Sequence, residues 1–230
     1  MQYGFDFSTG KEGYASLVIG EPNRQAVSLL QRDEQWPAAA LCLVAPPRAG
    51  LTTLAHVWVS EGEGVLSRPT CFNRWSFPEL DRVAAGRLAI DDAHEGLDDD
   101  ALLHVLNRAK EQAGKVLLTA RTAPRLWGAS NADLQSRLVS MPVITLDLPD
   151  ADTLHARFES VCHHNHLGLP ADVWAYLEKR VPRDYAAMEQ IAEDLCAAVS
   201  GTGRGLTIPV ARQILGDGDD GWAEDEDDDD

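Results

Sequence analysis

The sequence of 230 residues contains no uninterrupted run of eighteen or more apolar residues, so no segment is predicted to cross a membrane. Its four cysteines are widely spaced and form no Cys-x-x-Cys pair, which counts against a disulfide framework. The first residues carry neither a basic stretch nor a long apolar stretch. We therefore expect no secretory signal, and we expect the protein to be cytoplasmic.

Basic residues are also scarce, since 20 lysines and arginines stand against 37 acidic residues and give a net charge of −17. Residues 217–230 hold ten of the acids and no base, and without those ten acids the charge of −17 becomes −7. A protein of this sign offers no basic face to a phosphate backbone, so direct sequence-specific DNA binding is not expected. The acidic tail, residues 216–230, is too polar to pack and is predicted to be disordered.

Short apolar runs alternate with helical patterns in the first two thirds of the chain. Four of these runs are predicted to be buried strands, at 41–44, 88–90, 116–119 and 143–146, and a fifth strand is predicted at 71–75. Between them, 51–58 and 102–109 have the apolar spacing of helices. Buried strands separated by helices predict an α/β fold with a parallel sheet flanked by helices.

After residue 149 the pattern becomes helical. Four helices are predicted, at 151–167, 170–180, 183–199 and 208–215. They indicate a small all-helical subdomain that follows the α/β domain. The expected organisation is a flexible N-terminal peptide, an α/β domain, a helical subdomain and an acidic tail, at 1–9, 10–149, 150–215 and 216–230.

The junction between the first predicted strand and the next helix is similar to a phosphate-binding loop. Such a loop has the spacing Gly-x-x-x-x-Gly-Lys-Ser/Thr, in which the lysine contacts phosphates and the hydroxyl contacts Mg²⁺. Gly50 and Thr52 match this spacing, whereas Ala45 replaces the first glycine and Leu51 replaces the lysine. Loss of a charge-assisted contact worth about 1.5–3 kcal/mol weakens binding by roughly one to two decades. ADP or ATP is therefore expected to bind weakly at best, and Mg²⁺ only together with a nucleotide.

Polar residues follow two further predicted strands. Asp91 and Asp92 come directly after the strand at 88–90, and Thr119 ends the strand at 116–119. Because the carboxyl ends of parallel strands share one edge of a sheet, these side chains are expected to lie in one crevice. Carboxylates there suit a magnesium ion or the orientation of a water molecule. The alternative is a solvated Asp pair that begins a turn.

Arg137 precedes the last predicted strand, in the segment Asp133-Leu134-Gln135-Ser136-Arg137-Leu138. An arginine at this place can reach out of its own domain toward a phosphate on a neighbouring molecule. The alternative is an arginine on a helix surface that pairs with Asp133, four residues earlier. The spacing leaves both interpretations open.

Taken in order, five segments resemble the DnaA-related AAA+ proteins of the Hda type, over about residues 10–215. These segments are GLTTLAH at 50–56, AIDD at 89–92, LLTARTAP at 117–124, DLQSRL at 133–138 and LTIP at 206–209. The serine-arginine-leucine and the leucine-threonine-isoleucine-proline segments are the most specific, because AAA+ proteins in general do not share them. The resemblance implies an AAA+ α/β domain followed by a helical lid, and Thr53 then belongs to the nucleotide loop with Gly50 and Thr52.

The resemblance also implies roles for two arginines. Arg137 takes the position of an arginine finger that acts in trans on a partner's nucleotide. Arg183 falls near the second-sensor position at the start of a lid helix, with simple pairing to Asp184 or solvent as the alternative. The implied partner is the ATP-bound DnaA initiator, whose ATP hydrolysis the protein promotes.

Proteins of this type further carry a sliding-clamp-binding peptide near the N-terminus, of the form Gln-x-x-aliphatic-x-aliphatic or aromatic. Gln2, Phe5 and Phe7 match this form at the place where the family has it. Such a peptide inserts alternate apolar side chains into a pocket of the clamp. The alternative is an aromatic segment that packs on the domain itself.

Three functions remain open from the sequence. The favoured one is a regulator that promotes hydrolysis of initiator-bound ATP together with the DNA-loaded clamp, with a homodimer as one assembly state. The second is an adaptor that has lost nucleotide entirely. The third is an autonomous ATPase, against which Leu51 counts directly. A zinc site in the segment Cys162-His163-His164-Asn165-His166 is not favoured, because no second group of ligands accompanies it.

Overall fold

The computed structural model describes residues 13–14, 17–200 and 205–216. The chain divides into two compact units, Met1–Asp150 and Ala151–Asp230. The first unit contains the sheet, and the second contains the helices that follow residue 150. The N-terminal peptide at 1–9 and the acidic residues of the tail at 217–230 lie outside the described residues.

A five-stranded sheet forms the centre of the first unit. Its strands are β1 (Ala40–Val44), β2 (Val65–Ser67), β3 (Arg87–Ile90), β4 (Lys115–Ala120) and β5 (Val143–Thr145). They lie in the order β2-β3-β4-β1-β5, and every neighbouring pair is parallel. The predicted parallel sheet flanked by helices is therefore confirmed.

The central strands are apolar along their length because both faces of the sheet are covered. Leu88 and Leu118 enter one core cluster, whereas Ala89 and Leu117 enter the cluster on the other side. Successive side chains of a strand point to opposite faces, so each strand contributes to both clusters. Burial on both faces explains why the sequence shows continuous apolar runs there rather than an apolar-polar alternation.

Six helices belong to the described part of the first unit: α1 (Glu21–Leu30), α2 (Leu51–Glu61), α3 (Pro69–Phe72), α4 (Phe77–Ala84), α5 (Asp99–Gln112) and α6 (Ala132–Ser140). The apolar spacing predicts α2 and α5, whereas α1 and α4 are additional. α5 begins where the Asp98 carboxylate accepts a hydrogen bond from the Ala101 amide at 2.8 Å. A carboxylate at this position satisfies an amide that has no partner within the helix.

The prediction of a strand at 71–75 is wrong. The chain there forms the short helix α3, which begins at Pro69 because the fixed φ of proline suits a first turn and its missing N–H needs no partner. The edge strand β2 lies just before this helix. It pairs with β3, with Val65 opposite Leu88 and Ser67 opposite Ile90. The apolar residues of β2 are Val65 and Leu66 alone, which are too few for an apolar pattern to reveal a strand.

The second unit contains helices and no strand among its described residues. Its helices are α7 (Ala151–His164), α8 (Ala171–Leu177), α9 (Tyr185–Val199) and α10 (Ile208–Leu215). They share one core that includes Phe158, Leu177 and Met188, each fully buried. α7 and α8 end at His164 and Leu177, three residues before the predicted ends. None of the helices in the described ranges is long and apolar enough to cross a membrane.

Candidate functional site

The loop between β1 and α2 makes a tight turn. Arg48 and Gly50 have positive φ angles of 67° and 86°, and Gly50 is the residue directly before the first turn of α2. Glycine adopts such a conformation without steric cost, which accounts for Gly50 at this position. Ala45 and Ala49 are buried, whereas Arg48 is exposed.

Leu51 does not face the space in front of this loop. Its side chain is 4% exposed and belongs to the core cluster that also contains Leu41 and Leu54. The residue that replaces the lysine therefore stabilises the contact between α2 and the sheet. It brings neither a charge nor a hydrogen-bond donor to a phosphate.

Asp91 joins three elements at the carboxyl edge of the sheet. It directly follows β3, is 2% exposed, and accepts hydrogen bonds from Thr52 Oγ1 at 2.9 Å and Thr119 Oγ1 at 2.6 Å. Thr52 lies in the first turn of α2, and Thr119 lies in β4. Asp91 and Thr119, predicted to share a crevice, are thus brought together with Thr52 of the phosphate-loop-like segment, while their role in nucleotide binding stays a prediction. Thr53, the next residue of α2, is exposed.

Two arginines that the sequence does not single out for this site lie against the acidic pair. An Nη atom of Arg68 is 3.5 Å from Asp91 Oδ2 and 3.9 Å from Asp92 Oδ2. An Nη atom of Arg121 is 3.8 Å from Asp92 Oδ1, and its other Nη donates to the Pro46 carbonyl at 2.9 Å. Asp92 is therefore not a solvated turn residue alone, because it faces two guanidinium groups.

The route by which these arginines reach the site explains why sequence reasoning missed them. Arg68 follows β2, which no apolar run marks in the sequence, and Arg121 follows β4 directly. β2 pairs with β3, so the residue after β2 arrives beside the residues after β3. The available signal for Arg121 is its place two residues after the strand predicted at 116–119.

Arg137 lies on α6 and pairs with Asp133. One Nη atom of Arg137 donates to Asp133 Oδ2 at 3.4 Å, and Arg137 Nε lies 3.3 Å from Asp133 Oδ1 without the alignment of a hydrogen bond. The side chains are 33% and 57% exposed. The pairing four residues apart, given above as the alternative interpretation, is therefore present.

A cavity of about 730 Å³ adjoins Arg137. Three basic residues and one acidic residue belong to its lining: Lys110, Lys115, Arg137 and Glu34. The cavity also borders Ala40, the first residue of β1, and Lys115 is the first residue of β4. It therefore opens at the edge where the strands begin, opposite the edge that carries Asp91 and Thr119.

Two hydrogen bonds connect α5, which bears Lys110, to the segment just before α6, which bears Arg137. Asp99, in the first turn of α5, accepts hydrogen bonds from the amide and the hydroxyl of Ser130, both at 2.6 Å, just before α6. These bonds lower the pKa of Asp99, the hydroxyl having the larger effect. The two bonds hold the segment just before α6 against the first turn of α5.

Three matches with solved structures identify the fold. Domain III of the replication initiation protein DnaA from Thermotoga maritima gives a TM-score of 0.71 at 16% identity, over 90% of this chain and 96% of that one. AMPPCP-bound DnaA from Aquifex aeolicus gives 0.70 at 16% identity, over 86% and 68%. The RuvB Holliday junction branch migration motor of Thermotoga maritima gives 0.65 at 14% identity, over 86% and 69%. The chain has an AAA+ fold. No family model matches the sequence.

The similarity covers nearly all of DnaA domain III, so the AAA+ fold of this chain is DnaA-like. At 16% identity it is a likeness of fold. It places the loop at 45–50, Asp91 and Thr119 at the carboxyl edge of a DnaA-like sheet. It does not single out the Hda type among such proteins.

A nucleotide with Mg²⁺ is the ligand that an AAA+ fold implies, and the residues present do not fit it. Mg²⁺ takes oxygen ligands, and of those in this crevice Thr52 and Asp91 are bonded to each other, while Asp92 faces two guanidinium groups. Guanidinium groups lie within 4 Å of both aspartates. Leu51 stands at the position where the motif has the lysine that contacts phosphates. No step of the chemistry is therefore assigned to a metal here.

The roles predicted for the remaining residues are not tested by this structure. Gln2, Phe5 and Phe7 fall outside the described residues. Arg183 is exposed and belongs to the second unit, directly before Asp184, whose carboxylate accepts a hydrogen bond from the Ala187 amide at the start of α9. The second-sensor role of Arg183 stays a prediction.

The Cys162–His166 segment shows structural contacts rather than a ligand set. The Cys162 thiol is buried and lies 3.9 Å from Cys196 Sγ, and burial raises the pKa of Cys162 to about 12. Zinc binds the thiolate, which this burial disfavours. His164 Nδ1 lies 2.8 Å from the Ser160 carbonyl. Among the described residues, no group of three or more His, Cys, Asp or Glu side chains is arranged to hold a metal ion.

Proposed function

We propose that this chain is a DnaA-related regulator of replication initiation, which promotes hydrolysis of the ATP bound to the DnaA initiator. The observation that carries the proposal is the position of Arg137. It lies beside a basic cavity at the edge of the sheet where the strands begin. The chain's own crevice, at Asp91 and Thr119, lies at the opposite edge.

The distance between these two edges supports action in trans. Lys115, which lines the cavity, and Thr119, which lines the crevice, lie four residues apart on β4. At about 3.3 Å per residue, the two ends of this stretch are about 13 Å apart. The side chain of Arg137 is too short to serve both places. A phosphate that Arg137 contacts in the cavity must therefore belong to another molecule.

The pair with Asp133 is compatible with this role. An exposed ion pair of this kind contributes about 0–1 kcal/mol, because water screens both charges. A phosphate delivered by a partner would exclude that water and offer two oxygens to the planar guanidinium. We expect Asp133 to hold Arg137 in an extended orientation and to be displaced when the partner docks.

The chain's own crevice has a minor role in this proposal. A nucleotide, where one binds, has its place at the loop 45–50, and one of the DnaA structures with a similar fold is AMPPCP-bound. Leu51 supplies no charge to the phosphoryl group that is transferred, so the chain's own turnover is expected to be very slow. Hydrolysis takes place on the initiator's ATP, and a poor crevice does not prevent it.

The proposal is tested by a single-turnover assay on the initiator. DnaA loaded with radiolabelled ATP is mixed with the DNA-loaded sliding clamp, with and without this chain, and the fraction converted to ADP is followed in time. We expect conversion to accelerate only when the chain and the loaded clamp are both present. Equal rates with and without the chain would refute the proposed function.

Clamp binding is proposed to rest on the N-terminal peptide. We expect the double variant Gln2→Ala, Phe5→Ala to lose at least about 100-fold in affinity for the clamp, because a few anchors carry most of such a contact. Surface plasmon resonance with immobilised clamp measures it. The matched control is Gln25→Ala, Phe77→Ala, two changes of the same types in the folded unit, which should bind like the parent. Unchanged binding by the N-terminal variant would contradict the peptide assignment.

An adaptor without any nucleotide role is the second candidate. It is favoured by the hydrogen bonds that both carboxylate oxygens of Asp91 accept from the protein and by the ion pair at Arg137. The assay above separates the two candidates. An adaptor would bind the clamp or the initiator and leave the rate of ATP conversion unchanged.

A further inference from the structure

We infer that the guanidinium of Arg68, together with that of Arg121, takes the place of a divalent cation at the Asp91–Asp92 edge. The crevice is then held together by the protein's own charges and needs no metal. This inference concerns the architecture of the chain itself and does not depend on the proposed function.

The first argument is the set of contacts made by Asp91. Both of its carboxylate oxygens already accept hydrogen bonds, Oδ1 from Thr119 and Oδ2 from Thr52. An Nη atom of Arg68 adds a third contact, 3.5 Å from Oδ2. A buried carboxylate is stable only when its charge and its lone pairs are satisfied, and here side chains of the protein do both.

The second argument is charge. Asp91 and Asp92 together carry two negative charges, and the two guanidinium groups that contact them supply two positive charges. A single divalent ion would supply the same total. Because Arg68 lies within 4 Å of both carboxylates, it bridges them as a shared cation would.

The third argument is competition for space. A magnesium ion binds carboxylate oxygens at about 2.0–2.1 Å and requires near-octahedral ligands, so it must displace both the Thr52 hydrogen bond and the guanidinium of Arg68. The ion would also face the positive charges of two arginines. Electrostatic repulsion therefore adds to the cost of dehydrating the ion.

The test is metal binding by the full chain, measured with Mn²⁺ as a probe by electron paramagnetic resonance. We expect the parent to leave the signal of free Mn²⁺ undiminished, and Arg68→Ala to bind one Mn²⁺ per chain. Thermal unfolding provides a second readout. The Tm of the parent should be the same in EDTA and in Mg²⁺. Arg68→Ala should lose about 3–6 °C in EDTA and regain most of it in Mg²⁺.

The matched control is Arg74→Ala, an exposed arginine on the segment that follows α3, which should behave like the parent in both readouts. Arg68→Lys retains one positive charge and should bind less Mn²⁺ than Arg68→Ala. Mn²⁺ binding by the parent, or a Tm of the parent that rises in Mg²⁺, would overturn the inference. So would an Arg68→Ala variant that folds and gains neither Mn²⁺ binding nor Mg²⁺-dependent stability. If that variant fails to fold, the measurement on the parent still decides.

Discussion

Arg137→Ala is expected to abolish the stimulated hydrolysis of initiator-bound ATP, with a loss of about 10³–10⁵ in rate, the value of an arginine finger in other phosphoryl-transfer systems. The guanidinium is planar and always charged, so it can bind two phosphate oxygens at once and stabilise the charge that develops on them. The measurement is the single-turnover assay with DnaA, loaded clamp and this chain. Folding and clamp binding should be unchanged, because the side chain is one third exposed and pairs only at the surface.

Three further variants make this result specific. Arg137→Lys should restore little, since an ammonium lacks the fork of the guanidinium. Asp133→Ala should retain stimulation, because it removes only a partner that the phosphate replaces. Arg125→Ala, a change at an exposed arginine outside the cavity lining, should act like the parent. An Arg137→Ala variant that stimulates hydrolysis as well as the parent would show that the finger assignment is wrong, and the adaptor would then be the better account.

Trp58→Ala is expected to lower the free energy of unfolding by about 3–5 kcal/mol. Trp58 lies on α2, is fully buried, and stacks on Trp36 with ring centroids 5.4 Å apart. Its indole N–H donates to Asp33 at 3.1 Å, and Arg87 lies over its ring. Truncation leaves a large cavity and removes a donor from a buried carboxylate. Urea unfolding followed by circular dichroism measures the change.

The control is Trp58→Phe, which retains one aromatic ring, removes the donor and leaves a smaller cavity than alanine. We expect it to cost about 1.5–3 kcal/mol, because the bond it removes is to a charged group. Since α2 also carries Thr52, the alanine variant should loosen the contact between Thr52 and Asp91. A loss under about 1 kcal/mol for Trp58→Ala would show that the packing around α2 is not what stabilises this unit.

How much of the fold can be predicted depends on where each strand lies in the sheet. β1, β3 and β4 are the three central strands, so their residues are apolar on both faces and appear as continuous runs in the sequence. β2 is an edge strand of three residues, and its pairing depends on contacts distant in sequence. Val65 and Leu66 are its apolar residues and form no run, whereas β5, the other edge strand, lies in the predicted apolar run 143–146.

The same distinction applies to the candidate site. Thr52, Asp91 and Thr119 can be placed in one crevice because each stands at the end of a central strand or at the helix that follows one. Arg68 depends on β2 and could not be placed. For Leu51, the sequence reveals that the lysine is replaced. It does not reveal that the leucine side chain packs into the core. The pair of Arg137 and Asp133 follows from helical spacing alone.

The opposite edges of the sheet also give the molecule a direction. When one subunit's basic cavity meets the next subunit's nucleotide, the contact is head-to-tail, and such contacts continue from subunit to subunit until a face fails to match. This chain presents the cavity with Arg137 at one edge, while Leu51 and the neutralised Asp91–Asp92 pair stand at the other. The two edges therefore offer a neighbour different chemistry, so a contact between copies through these edges is head-to-tail and not two-fold symmetric.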